Sequence, residues 1–538
     1  MNMRISEKFG NYFTRIPLKK FVSITHGNAL QLDWNSLIYG SYQYVTADEL
    51  NINIISEPIT HFDTLNVKAK KINIIDENKF QEKDIKHKTK FDYILGNPPF
   101  IGKSLQTKEQ KEDLKFATKG LKGASVLDYV ACWYLKAAEY IQETKIKAAF
   151  VSTNSIAQGE QVGILWNEMF LKYKIKIHFA HRTFRWDNEA KANAAVHVVI
   201  IGFANFDVQN KSLYDYEDIK SEAHKIKVKN INPYLIEGND IVVLKQRKSI
   251  CNANPISFGS MPNDGGHLLF TNDEKIEFLQ KEPLAEPFIR SVLSAREFLN
   301  NQMRWCLWLT QITPSEIRKL KEVSKRVELV KEHRESSTRE ATKRLAQFPT
   351  LFGENRQPST DYILIPRHSS ENRKYIPFGF FSKDYIASDS CSVVTNAKLL
   401  DFGLMTSEMH MTWVKYTCGR IKSDYRYSNE VVYNNYPFPK EIKDKQKEKV
   451  EKAAQLVLDV REKYPDSSLA DLYDPLAMPP DLVKAHQQLD KAVDLCYRPQ
   501  AFTNERTRIE FLFDLYSEYV TPLQAAVKKV GNKKVKRK

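Results

Sequence analysis

The chain reads as an α/β protein: a helix-covered sheet at the front, an irregular α+β region in the middle and a helical region at the end. Three observations carry that reading. Short β-rich runs alternate with helical patterns up to about residue 204. From about 205 to 440 the pattern turns irregular, aromatic and rich in turns, and from 441 to 538 amphipathic helical segments return. A chain of 538 residues is long enough for two or three domains, each burying its own core.

The first region contains the runs "FVSIT", "FDYILG", "AAFVST", "KIHFAH" and "AVHVVIIGF". Branched and aromatic residues at this density favour strands. Between the second and third lies "VLDYVACWYLKAAEYIQE", apolar at helical spacing. Strand, helix, strand at these lengths predicts a parallel or mixed sheet covered by helices, with "FDYIL" as a buried strand. In the middle region one clear helix begins at "TPSEIRKLKEV". Thr313 caps it, Pro314 fits the first turn, and Glu316 completes a capping box. Leu320, Val323, Val327 and Val330 form its apolar stripe. The last region carries "KEKVEKAAQLVLDVREKY" and "PPDLVKAHQQLDKAVDLCY", then the basic tail "VKKVGNKKVKRK", too polar to pack and expected to fray.

Charge narrows the function. Lysine plus arginine number 81 against 66 for aspartate plus glutamate, a net +15, and the isoelectric point is near 9.2. Such an excess favours a polyanion partner through counterion release. The longest apolar runs, such as "AVHVVIIGFA", reach about half of the roughly 20 residues that a membrane helix needs. Arg4, Glu7 and Lys8 stand where a secretory signal has its apolar core. The six cysteines form no Cys-x-x-Cys pair, so reduced thiols in a cytoplasmic protein are expected. His26, His181 and His197 lack partners at metal-ligand spacing; they read as structural, and no metal is expected.

The stretch "FDYILGNPPFIGK" at Phe91–Lys103 points to chemistry. Ligands of such sheets bind beyond the carboxyl ends of the strands. Two successive prolines fix φ and give up their N–H groups, leaving a stiff loop with uncontested carbonyls. The Asn97 side-chain carbonyl and the Pro98 main-chain carbonyl can then accept both hydrogens of one exocyclic amino group. A base amine is a poor nucleophile because its lone pair is delocalised into the ring. Two converging acceptors favour a pyramidal nitrogen and stabilise the positive charge that develops as it attacks a methyl donor. Phe100 offers a face on which an extruded base can stack, worth about 1–3 kcal/mol.

Asn97-Pro98-Pro99-Phe100 resembles the motif of gamma-class amino-group DNA methyltransferases, which make N6-methyladenine from S-adenosylmethionine by base flipping. More closely, the chain is similar to the large single-chain type IIG restriction–modification enzymes. "ITHGNALQLDW", "VLDYVACWY", "AAFVSTNSIAQGEQV" and "HRTFRWDNEAKANAAVHVVIIGF" carry the resemblance in the first region. "GSMPNDGGHL", "RWCLWL", "FPTLFGENRQP", "YILIPRHSSENRKYIPFGFF" and "RIKSDYRYSNEVVYNNYPFP" carry it in the second.

The resemblance implies a Rossmann-like methyltransferase core over residues 1–204, incomplete at its N-terminus. An α+β target-recognition domain over 205–440 and a C-terminal helical region over 441–538 would follow. It implies that Asn97, Pro98, Pro99 and Phe100 form the catalytic loop and that Asn28 and Ala29 line the cofactor's adenine. Phe184 or Trp186 would pack on the flipped base together with Phe100. In the middle region Arg367, His368, Arg373, Arg420, Lys422 and Arg426 are candidate DNA contacts, since arginine suits both guanine edges and phosphates. Arg304, Arg356 and Tyr427 are further candidates.

One part of the family pattern is missing. The 19 glycines contain no Gly-x-Gly spacing, which the family uses to cradle the methyl donor. "MNMRISEKFGNYF" resembles an interior stretch of the family, so the chain is expected to begin within the methyltransferase core, without the nuclease and the helical connector. An upstream polypeptide is then expected to complete the cofactor site. Two functions follow: an adenine-specific, double-stranded-DNA methyltransferase of a restriction–modification or phage-defence system, or a non-catalytic specificity module or inactive remnant of a split enzyme. No constellation of paired acids with a lysine on a strand marks a nuclease.

Overall fold

The computed structural model describes residues 25–39, 91–186, 196–216, 221–421 and 423–535. All of "FVSIT" except Thr25, together with Lys422 and the last residues of the basic tail, lies outside them. The chain forms two units, Met1–Asp92 and Tyr93–Lys538. In the first, residues 25–35 make successive turns that lead into a short helix, Ser36–Tyr39.

The second unit opens with a six-stranded mixed sheet. Its elements in chain order are β1 (Tyr93–Gly96), α1 (Lys108–Thr118), α2 (Ala131–Tyr140), β2 (Lys147–Thr153), α3 (Glu160–Leu171), β3 (Lys176–Trp186), β4 (Val196–Ala204), β5 (Lys211–Asp215) and β6 (His224–Val228). The strand order is β1-β2-β4-β3-β5-β6. β1 runs parallel to β2, and β4 runs antiparallel to both β2 and β3. Alternation decides which face is covered: Ala148, Phe150 and Ser152 of β2 are buried while their neighbours are half-exposed or exposed. Tyr134 of α2 packs 5.2 Å from Phe150, 5.4 Å from Phe203 and 6.0 Å from Trp166 of α3. Its hydroxyl bonds Ser152 Oγ at 2.8 Å.

Two expectations change here. "FDYIL" is not a buried strand: Tyr93 is 64% and Leu95 77% exposed. Among the described residues β1 pairs only with β2, so it stands at the edge of the sheet with one face uncovered. The sheet also runs beyond residue 204, because β5 pairs with β3 and β6 with β5. Both strands are short and interleaved with lysine, histidine and aspartate, which hid their alternation.

The middle region holds three small sheets. Their strands are β7 (Ile256–Phe258), β8 (Leu269–Phe270), β9 (Ile289–Leu293), β10 (Trp305–Leu307), β11 (Tyr362–Pro366), β12 (His368–Ser369), β13 (Gly379–Phe381), β14 (Ile386–Ala387), β15 (Cys391–Thr395), β16 (Gly419–Ile421) and β17 (Asp424–Arg426). The orders are β14-β9-β10-β8, β13-β11-β15-β7 and β12-β17-β16. Helix α4 (Lys321–Glu335) packs Leu320, Val323, Val327 and Val330 into the first core, as their spacing requires. Thr313 and Glu316 form the expected capping box, but the helix they start ends at Ile317. Leu320 leaves helical geometry at φ −104 and ψ 87, and α4 begins afresh. The carboxylate of Glu282, distant in sequence, caps this second start by accepting from Glu322 N at 3.1 Å and Val323 N at 2.8 Å.

Helices α5 (Glu408–Thr417), α6 (Asp444–Glu462), α7 (Pro480–Tyr497) and α8 (Glu505–Val535) complete the unit. α6 and α7 pack together through the stripes seen in the sequence, with Val450, Ala454 and Val457 buried on one and Leu482, Leu489 and Val493 on the other. The helical region is locked to the middle region: Tyr375 stacks on His486 at 4.0 Å and donates to Asp490 Oδ2 at 2.6 Å. α8 carries the first residues of the basic tail as helix, against the expectation of a frayed end. Among the described residues no helix is long and apolar enough to cross a membrane, and no cluster of side chains could hold a metal ion. Five of the six cysteines are buried and all are unpaired.

Arg334 of α4 is fully buried without a carboxylate. Its guanidinium donates to five carbonyls: Asn263 at 2.9 Å, Leu345 at 3.0 Å, Phe348 at 2.9 Å, Pro262 at 2.9 Å and Leu351 at 2.7 Å. Two loops are thereby clamped to one helix. Arg334→Met strands all five acceptors and is expected to cost about 3–5 kcal/mol. Arg334→Lys, with three donors and no fork, should recover only part of this in urea unfolding.

Candidate functional site

The loop after β1 is held at both ends. Gly96 lets the Phe150 ring approach, since a Cβ there would lie 3.1 Å from it. Pro98 is buried, Pro99 is exposed, and the Pro99 carbonyl accepts from Ile101 N at 3.1 Å. Further along, Ile101 O accepts from Tyr129 N at 2.9 Å, and Leu127 O accepts from Gln106 Nε2 at 3.0 Å. The Tyr129 hydroxyl donates to Asp113 at 2.6 Å, which fixes the segment ahead of α2. On this braced loop Asn97 is exposed and Phe100 half-buried. Among the described residues neither the Asn97 side chain nor the Pro98 carbonyl makes a hydrogen bond. Two unspent acceptors thus stand beside an aromatic ring.

The other end of this sheet edge is aromatic. A bulge between His181 and Phe184 shifts the register of β3 against β4 and re-aims its last side chains. Phe184 is half-buried and stacks on Tyr216 at 5.2 Å; Trp186 lies 6.1 Å from Phe184 and is 41% exposed. Tyr216 in turn bonds His181 Nδ1 at 2.8 Å, and His181 stacks on Tyr214 at 4.2 Å. Burial pushes the His181 imidazole below its ordinary pKa, as suits a neutral structural ring. One face of Phe184 is therefore already engaged, and Trp186 is the more open of the two.

The sequence candidates for nucleic-acid contact meet on the three-stranded sheet β12-β17-β16. His368 pairs with Arg426 across the ladder, and Arg420 pairs with Tyr425. Arg367 lies over Phe258 at 4.4 Å and donates to Asp389 O at 2.6 Å; Arg420 lies over Tyr425 at 3.9 Å and donates to Ser423 O at 2.9 Å. Burial, and then the fields of Arg426 and Arg356, lower the pKa of Arg367. Burial, and then the fields of Arg367 and Arg426, lower that of His368. Arg373 reaches Ser369 Oγ at 3.4 Å. Residues 367–373 and 420–426 are so brought into one cationic patch; Lys422 lies outside the described residues.

Residues proposed for the cofactor are spent locally. Asn28 Oδ1 accepts from Leu30 N at 3.0 Å, and Ala29 O accepts from Trp34 Nε1 at 2.9 Å. These bonds brace a turn.

Residues 1–215 match the family described as "MmeI, DNA-methyltransferase domain", residues 237–440 "MmeI, target recognition domain" and residues 442–524 "MmeI, C-terminal domain". The chain belongs to the MmeI family. It superposes on the type IIL restriction–modification enzyme MmeI, solved in complex with DNA, with a TM-score of 0.75 and 44% identity, covering 97% of this chain and 63% of that one. It is 42% identical over 427 residues to "DNA methyltransferase A" of Bacillus subtilis (strain 168), which is 79% of this chain and 48% of that protein. The chain thus spans about half to two thirds of the length of these relatives.

Within this MmeI-family frame, three residues that build the site escaped the sequence reading. Tyr216 backs Phe184 from a different strand end. Asp128, buried, accepts from Thr153 Oγ1 at 3.3 Å and from Ser155 Oγ, and takes Gln161 through its own N–H at 2.8 Å. It ties the segment after the Asn97 loop to the end of β2. Gly159, before α3, adopts φ +66 and ψ −151, and a Cβ there would lie 2.7 Å from Gly419 Cα. Only the glycine inside "AQGEQV" signalled this contact. Gly159→Ala is expected to lower stability by about 1–3 kcal/mol. Because the obstructed backbone belongs to β16, urea unfolding should show the loss.

Proposed function

We propose that this chain supplies base capture and target recognition for site-specific, adenine-N6 methylation of double-stranded DNA in a restriction–modification or phage-defence system. One observation carries the reading: a rigid, proline-locked loop presents two unspent oxygen acceptors beside a half-buried phenyl ring. In this reading the target adenine is extruded from the duplex, its N6 amino group donates to Asn97 Oδ1 and Pro98 O, and its ring stacks on Phe100. Phe184 or Trp186, three strand spacings or about 14 Å along the sheet edge, closes on the other side. The acceptors stabilise charge as the nitrogen attacks, and the amine sheds its proton afterwards, so no general base is needed. The cationic patch of Arg367, His368, Arg373, Arg420 and Arg426 supplies phosphate and base-edge contacts.

The methyl donor in this reading is S-adenosylmethionine, which offers an electrophilic methyl group on sulfur. No Gly-x-Gly spacing occurs in the chain. An upstream polypeptide that supplies the glycine-rich loop fits two further facts: the outer edge of β1 is unpaired among the described residues, and Tyr93 and Leu95 are bare. The same facts favour a second reading, a non-catalytic DNA-binding specificity module.

Asn97→Ala is expected to abolish adenine methylation, read by single-molecule detection of modified bases, while DNA affinity changes little. Equal loss of both would make Asn97 structural and sink the capture geometry. In isothermal titration the isolated chain should bind S-adenosylmethionine weaker than micromolar. Micromolar affinity would remove the need for a partner.

A further inference from the structure

A cavity of about 640 Å³ lies where the methyltransferase sheet, the recognition hairpin and the C-terminal helices meet. Asn154 and Gln158 reach it from the segment after β2, Arg182 from β3, Lys415 from the end of α5, Arg420 from β16 and Arg506 from the first turn of α8. It opens at the carboxyl end of β2, the same sheet edge that carries the Asn97 loop.

Its cations divide into two kinds. Arg182 is spent on Asp215 at 2.7 Å and on the Tyr416 hydroxyl, and Lys415 is spent on Glu505. Arg420 and Arg506 are not. Arg420 has a buried Nε without a partner and no carboxylate at ion-pair distance among the described residues. Arg506 makes one long ion pair, with Glu510 at 3.9 Å, and no hydrogen bond from its guanidinium among the described residues, so its donors stay unspent. The side-chain amides of Asn154 and Gln158 make no hydrogen bond among the described residues. Glu371 is the single lining carboxylate left without a cation among the described residues. The unspent groups are thus mainly donors, and two are permanently charged. Such a surplus fits an anion with acceptor oxygens only, of the size of a phosphate group.

We propose that this cavity seats a phosphodiester of the DNA backbone, gripped by Arg420 from the recognition hairpin and Arg506 from the C-terminal helix. The C-terminal helices then belong to the DNA interface, a role that nothing in their sequence suggested. The inference rests on the functional reading above only in taking DNA as the ligand; it does not require methyl transfer.

The test is the salt dependence of binding to a fluorescein-labelled duplex of mixed sequence, measured by anisotropy over a series of potassium chloride concentrations. Each phosphate contact contributes about 0.9 to the slope of log K against log salt. Arg420→Gln and Arg506→Gln should each flatten the slope by about that amount and weaken binding several-fold on every sequence tried. Arg506→Lys should restore the slope, which a merely structural role would not demand. Lys463→Gln, an exposed lysine elsewhere in the helical region, should leave it unchanged. Thermal melting confirms that each variant is folded at the assay temperature. A parent-like slope in Arg506→Gln, with parent binding intact, overturns the subsite alone. Failure of the parent chain to bind duplex at all overturns both this proposal and the DNA reading beneath it.

Discussion

Two backbones in van der Waals contact, at Gly159 and Gly419, set where the recognition hairpin stands over the methyltransferase sheet. No side chain intervenes, so the distance is fixed by peptide geometry and not by rotamers. Around it, Arg182 bridges Asp215 at the end of β5 and the Tyr416 hydroxyl at the end of α5. Lys415, beside Tyr416, pairs with Glu505 at the start of α8. One glycine contact and two ion pairs thus hold three regions in register. The hairpin keeps its place over the carboxyl ends of the sheet strands only while that register holds.

The candidate loop stood out in the sequence because the argument for it is local. Asn97-Pro98-Pro99-Phe100 announces itself because proline's missing donor and fixed φ are properties of the chain itself. The capping box at Thr313 and Glu316 and the stripe Leu320, Val323, Val327, Val330 were legible for the same reason. What stayed hidden depends on partners far away in sequence. Glu282 restarts a helix forty residues later, and the strength of the Thr313 signal concealed that break. Tyr216 and Asp128 matter through what they touch across strands. The edge position of β1 is hidden too: "FDYIL" has the composition of a buried strand, and composition does not say whether both neighbours are present.

Tyr93 and Leu95 make that last point physical. An exposed apolar edge strand invites pairing, and proteins usually blunt such edges with charge, bulges or a covering element. β1 has none of these on its outer side among the described residues. The strand's sequence suits a sheet interior better than a sheet edge.

The arginines show how a basic protein keeps some of its charge available. Arg334 spends all five donors on carbonyls, and Arg508 is buried against Asp494 at 2.8 Å; both are structural and invisible to a ligand. Arg367 and Arg420 are fixed differently, over the rings of Phe258 and Tyr425, with a single carbonyl bond each. A ring orders a guanidinium without neutralising it, because the attraction is to a quadrupole and not to a counter-charge. Each therefore pays little further entropy to meet a phosphate or a guanine edge and keeps donors with which to do so. Arg367 also bears the repulsion of Arg426 and Arg356. Net charge counts every arginine alike; the stacking partners separate those that are neutralised from those that are only ordered.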